Sequence, residues 1–230
     1  MTLERAGWSA IHRDAAAIGL ATGAYAVSFG VLAVAAGLTP AQACAMSLLV
    51  FTGASQFAVV GVLGAGGGAL AALAPALLLA ARNGVYGLAL VPILQGRRAR
   101  RALEAQLVID ESTAMARAQD DPRAAHHAFL ATGLSVFVCW NLGTLAGALL
   151  GDDLGDPRAL GLDAVFPAAF LALLAPQLRR HGAPVAALAG ALIASALIPL
   201  VPAGVPIIVA LLGVLPAIAV VRRARVRDSP

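Results

Sequence analysis

Seven apolar runs, at about 15–37, 41–64, 68–95, 126–151, 159–178, 183–201 and 204–221, take up most of this 230-residue chain. An α-helix needs about 20 apolar residues to cross the ~30 Å hydrocarbon layer of a bilayer. Within that layer each backbone N–H and C=O must be satisfied inside its own segment, so runs of this length fold as helices. A single soluble core cannot hide them. Some 60% of the residues are hydrophobic and 12% charged, against ~45–50% and ~25% in soluble domains. The sequence predicts an all-α, polytopic membrane bundle with about seven transmembrane spans, forming one domain over residues 1–230. Residues 1–14 lack a cleavable signal pattern and lead directly into the first run, so they are expected to be kept as structure.

The sixteen basic residues are all Arg. With so much Ala, this reads as the bias of a GC-rich genome, and the basic pI does not point to nucleic acid. No basic stretch is interleaved with aromatics, as a nucleic-acid groove requires. Arg97, Arg98, Arg100, Arg101, Arg117 and Arg123 crowd the polar stretch 96–125. Arg179 and Arg180 mark a later turn, and Arg222, Arg223, Arg225 and Arg227 mark the tail. Asp152, Asp153, Asp156 and Asp163 dominate 151–163. Short Arg-rich loops stay in the cytoplasm, which places 96–125, the turn and the tail inside and 151–163 outside. Three crossings before the 96–125 loop would put the N-terminus outside, and that is the arrangement expected here. If 41–64 re-enters instead, the N-terminus is inside.

Few residues in the apolar runs carry chemistry. Thr52, Gly53, Ser55 and Gln56 interrupt the second run. Gln56 is either an interhelical hydrogen-bonding residue or part of a small-solute site, where Gly53 would loosen the helix and expose backbone groups. Arg82 lies amid apolar sequence and needs a partner or water. A substrate carboxylate, a protein carboxylate, or snorkelling to the interface would each meet that need. Asp110 and Glu111 follow Leu107–Ile109 in a short amphipathic element. They read as a solvated helix surface or as an acid turned toward the bundle that titrates during transport; being adjacent, at most one would continue the apolar face. Gly143, Gly147 and Gly151, like Gly19 and Gly23, repeat every four residues and suit close helix packing or a subunit interface. Pro199, Pro202, Pro206 and Pro216 crowd the last runs. Cys44 and Cys139 read as buried thiols, and His126 and His127 as interfacial anchors. No hydrolase nucleophile, metal or Walker motif is present. No cofactor and no metal site are expected, and an ATPase is excluded.

Several stretches together resemble AzlC-type permeases. They are S-F-G (28–30), M-S-L-L-V-F-T-G-A-S-Q-F (46–57), R-N-G-V-Y-G-L-A-L (82–90), D-E-S (110–112), W-N-L-G-T-L-A-G (140–147) and G-L-D-A-V-F-P-A-A-F-L (161–171). The resemblance implies the large subunit of a secondary exporter of valine, leucine, isoleucine and, in some members, methionine, in the cytoplasmic membrane. It also implies a small AzlD-like membrane subunit as partner. Thr52, Gly53, Ser55, Gln56, Arg82, Asn83 and Tyr86 then become candidates for substrate binding, and Asp110 and Glu111 for coupling. Ala80 and Asn83 depart from the family pattern, which has a polar residue two before the Arg and a His after it; that difference bears on substrate and coupling. The competing readings are an exporter of another small solute, a non-transporting scaffold and a membrane enzyme. An enzyme would show paired acids on one helix face or a metal triad.

Overall fold

The computed structural model describes residues 2–94, 96–151 and 178–227, with six isolated positions between 161 and 175. The fifth apolar run and the acidic residues Asp152 to Asp163 fall largely outside the described residues. Among those described, the chain is helical throughout, with no strand. The helices are α1 (Thr2–Ala35), α2 (Pro40–Leu49), α3 (Gly53–Gly64), α4 (Ala69–Leu90), α5 (Arg98–Ala105), α6 (Asp110–Arg117) and α7 (Pro122–Gly151). They continue with α8 (Ala183–Leu197), α9 (Val205–Val209), a 3₁₀ turn (Ala210–Gly213) and α10 (Val214–Arg227). Four stretches are long and apolar enough to cross a membrane: Gly7–Ala35, Ala69–Leu90, Pro122–Gly151 and Val205–Arg222. The protein is a multi-pass helical membrane protein.

The frame is a parallel pair, α1 against α7. His12 sits beside His127, Gly19 against Ser135, Gly23 against Cys139, and Gly151 against Val31 and Val34. Positions rise together along both helices, so they point the same way. The glycine repeats lie in this seam, where a Cβ at Gly143 or Gly147 would meet the Gly23 or Val27 carbonyl. Lipid supplies no hydrophobic drive between helices, so close van der Waals contact of this kind holds them together. Cys44 and Cys139 are free and only half-buried, rather than fully buried.

The run 41–64 is two half-helices. Gly37, in the left-handed region (φ 93°), ends α1, and the Leu38 N–H reaches back to the Ala33 carbonyl at 3.0 Å. Thr39 and Gln42 then form a capping box with Pro40 at the helix start, which restarts the chain as α2. Along α2 the Ser47 hydroxyl lies 3.1 Å from Thr144, and the Phe51 ring lies 4.8 Å from Phe137. The chain therefore runs down α7. At Phe51 (φ 41°) it turns, at a conformational cost of about 1–3 kcal/mol. Along α3, Gly53 sits under Trp140 and Gly64 comes back beside Ala36. Residues 41–64 thus enter and leave at the same end of the bundle.

This corrects the expected crossing by 41–64 and the N-terminus placed outside. Only α4 crosses between α1 and α7, so the N-terminus and the Arg-rich 96–125 segment share one end. That end holds Arg13, Arg98, Arg100, Arg101, Arg117 and Arg123, and the positive-inside rule makes it cytoplasmic. The C-terminal hairpin agrees. Gly190 packs on Ala210, and the connection at Ala203–Gly204 docks beside Gly67, Val62 and Ala71 at the outer end. Arg179, Arg180 and Arg222 are thereby left at the inner end.

Candidate functional site

A second segment dips into the bundle from the cytoplasmic side. Arg98–Ala105 forms α5, Leu107 packs on Gly133, and the chain returns along α6 against α7. Gly133 lies eleven residues into the 30-residue α7, about 16 Å along its axis. The stretch 96–125 is thus not a loop confined to the surface. The Ser112 hydroxyl donates to the Leu107 carbonyl at 2.6 Å and accepts from the Ile109 N–H at 3.2 Å, which fixes the turn at the tip. The tips of the two dipping segments, residues 51–54 and 109–111, meet at one cavity of about 70 Å³. That is room for a few waters. Thr22 and Tyr25 of α1, Arg82 and Asn83 of α4, and Val136 and Trp140 of α7 complete its walls.

Two of the charged groups in this cavity pair with each other. An Arg82 terminal nitrogen lies 2.5 Å from Asp110 Oδ2, and the Tyr86 hydroxyl, one turn along α4, also donates to Asp110. The Arg82 Nε and the Asn83 Oδ1 are buried with no partner among the described residues. Both Asp110 and Glu111 line the cavity, where at most one was expected to face inward. They are the first two residues of α6, and a side chain at a helix end is not confined to one face of the cylinder. Carboxylates there also favour the positive helix end.

Below the cavity lies a second ionic cluster that sequence reading did not single out. Glu104 is 5% exposed, and its Oε1 takes bonds from Arg100 Nε at 2.7 Å and His126 Nε2 at 3.0 Å. His126 is thus a partner in the bundle as well as a residue at the helix start. Burial pushes the Glu104 carboxyl up, but the hydrogen bonds and charges of Arg100 and His126 outweigh it and hold the group below its usual range. A carboxyl lowered by folding stabilises the fold above its unfolded pKa, and that contribution is lost as pH falls through the folded value. Glu104→Gln is therefore expected to lower thermal stability at pH 7, by about 1–3 kcal/mol. It is also expected to flatten the loss of stability on acidification. Melting curves of wild type and variant from pH 7 downward check this; parallel curves would contradict it.

The cavity and both dipping segments fall within one continuous stretch of the chain. The family described as "AzlC protein" matches residues 17–154. This chain belongs to the AzlC family. The inner membrane protein YgaZ of Escherichia coli (strain K12) is 30% identical over 183 residues, covering 73% of this chain and 72% of that protein. No solved structure matches.

The AzlC family match covers every residue of the cavity wall. Of the residues singled out in the sequence, Thr52, Gly53, Arg82, Asn83, Asp110 and Glu111 are brought together there. Tyr86 supports them through Asp110. Ser55 and Gln56 stand apart from the wall. The Ser55 hydroxyl accepts from Thr52 at 3.0 Å and donates to the Ala76 carbonyl at 2.8 Å, tying α3 to α4. Gln56 is fully buried, with both amide atoms unpartnered among the described residues. Tyr25, Phe51 and Trp140 were missed, because an aromatic residue in an apolar run offers no contrast in hydropathy.

Proposed function

We propose that this protein is the large subunit of a secondary exporter of branched-chain amino acids in the cytoplasmic membrane. One observation carries the reading: two segments dipping from opposite faces meet at a cavity where a guanidinium, two carboxylates and a bare helix start converge. A membrane protein maintains such charge in its interior at a cost, and it marks a solute path by default. An amino acid is a zwitterion whose two charges both need partners, with an apolar wall for the side chain. Phe51, Val136 and Ile109 supply that wall. Loading an amino acid would move the dipping segments apart. The Arg82–Asp110 pair is the bond that such movement breaks, and Asp110 and Glu111 are the acids that would couple it to a driving gradient. Arg82 is read as the closing partner of Asp110, with a substrate acting on that pair.

Family membership supports a small AzlD-like subunit as partner, and such a subunit would cover part of the apolar surface of the bundle. The test is uptake into inverted membrane vesicles containing both subunits, with labelled valine, leucine, isoleucine and methionine offered separately. Saturable, gradient-driven uptake of these solutes is expected, with little uptake in vesicles that lack the small subunit. Uptake of an unrelated solute alone would reassign the cargo, and no transport of any solute would refute the reading.

A further inference from the structure

We infer that the carboxylate of the transported amino acid docks on the N-terminus of α3, at the backbone N–H groups of Gly53 and Ala54 and the indole N–H of Trp140, and not on Arg82. This assignment rests on the amino-acid reading above.

Two helices start at the cavity, and they are not equivalent. At α6 the positive end is already matched by Asp110 and Glu111 in the first turn, and Ser112 takes the Ile109 N–H. At α3 nothing matches it. The first-turn N–H groups of any helix lack partners within the helix, and a side chain at the N-cap usually takes one of them. Thr52 holds the N-cap position but accepts no backbone N–H, because its hydroxyl is turned to Ser55. The first turn of α3 also carries no acid. A helix start of this kind, facing a cavity inside the membrane, is an anion site by its dipole and its free donors.

Trp140 gives an independent indication. It lines the same cavity and is 5% exposed, yet its Nε1 donor has no acceptor among the described residues. The ring edge lies over Gly53: a Cβ added there would come 2.8 Å from Cη2 and 3.2 Å from Cζ2, the carbon two bonds from Nε1. The six-membered ring of the indole therefore stands beside the α3 start, its Cζ2 on the side that carries Nε1, and only glycine at position 53 leaves that approach open. A buried donor without an acceptor is costly, and an incoming carboxylate would satisfy it together with the amides. Arg82 already has a carboxylate in Asp110. Glu111, which lines the cavity outside the Arg82–Asp110 pair, is then left to receive the ammonium group.

The test uses the purified chain with its small subunit in detergent and measures the affinity of leucine, of leucinamide (no carboxylate) and of 4-methylpentanoate (no ammonium). Trp140→Phe keeps a ring and removes the N–H. It is expected to weaken leucine and 4-methylpentanoate about tenfold or more, while leucinamide changes less than twofold. Arg82→Gln is expected to weaken 4-methylpentanoate far less than Trp140→Phe does. A second measurement needs no change in the cavity. The chain has two tryptophans, Trp8 and Trp140, so indole-¹⁵N labelling of this subunit alone gives two N–H signals, assigned with Trp8→Phe. Leucine should move the Trp140 signal downfield, and leucinamide should not. Equal loss of leucine and leucinamide in Trp140→Phe, or an unmoved Trp140 signal with leucine bound, would overturn the assignment and leave amino-acid transport standing. Failure of all amino acids to bind the wild type would overturn the transport reading, and this assignment with it.

Discussion

Arg82→Gln is expected to abolish transport and lower stability, whereas the double variant Arg82→Gln/Asp110→Asn recovers stability without recovering transport. Arg82 and Asp110 are part-buried, at 36% and 25% side-chain exposure. Removing one partner of a fully buried pair costs ~3–5 kcal/mol, because the other charge is stranded. Cavity water screens this pair, so a loss of about 1–3 kcal/mol is expected here. Asp110→Asn alone leaves Arg82 with the introduced amide oxygen as an acceptor and should be milder. Exchanging both charges for neutral amides removes the stranded group, so the stability terms should be strongly non-additive. Transport should stay lost, because a neutral cavity no longer has a charge pair for the substrate to open. Thermal melts and vesicle uptake on the four proteins separate the two roles. Additive destabilisation would show that the pair does not couple.

Gly147→Leu is expected to disrupt the whole frame. Two effects act in opposite directions. Leu is favoured over Gly within a helix by about 1 kcal/mol. Against that, the new Cβ would overlap the Val27 backbone carbonyl, and a backbone cannot turn aside as a side chain can. Ordinary overpacking costs ~1–3 kcal/mol; prising α1 from α7 is expected to cost on the order of 3 kcal/mol or more, since contacts along the seam are lost together. Gly84→Leu is the control, because a Cβ at Gly84 meets nothing within 4 Å. On size-exclusion of the solubilised chain, Gly147→Leu should lose most of the monodisperse peak and Gly84→Leu should keep it. A normal peak for Gly147→Leu would mean that the seam tolerates separation.

Much of this was legible in residue type. Apolar run length gave helices and membrane, and polar interruption gave Thr52 and Gly53 within one residue of the break between α2 and α3. The lone Arg in an apolar run and the first acid of the D-E pair turned out to be partners. Direction was harder to read. Hydropathy counts apolar residues but does not say which way a segment runs, and 24 residues serve equally for one span or two half-helices. The reversal at Phe51 carries no glycine or proline to announce it; burial of the Phe51 ring against Phe137 holds a backbone angle that Phe rarely adopts. The same applies to the parallel pairing of α1 and α7, which follows from the register between two glycine repeats more than a hundred residues apart. Glu104 escaped notice because it sits among arginines in a strongly amphipathic stretch, where an acid normally marks a solvated face.

Segments from opposite faces of the membrane meet at the Arg82–Asp110 cavity, and the sidedness of residues 41–64 tests this most directly. In a background with Cys44 and Cys139 replaced, single cysteines at Ala41, Ala65 and Arg98 would be treated in intact cells with a membrane-impermeant maleimide. All three positions are exposed. Ala41 and Ala65 flank the dipping segment and should both label from outside, while Arg98 should label only after the membrane is opened. Labelling of Ala41 and Ala65 from opposite sides would make 41–64 a full crossing and contradict the account.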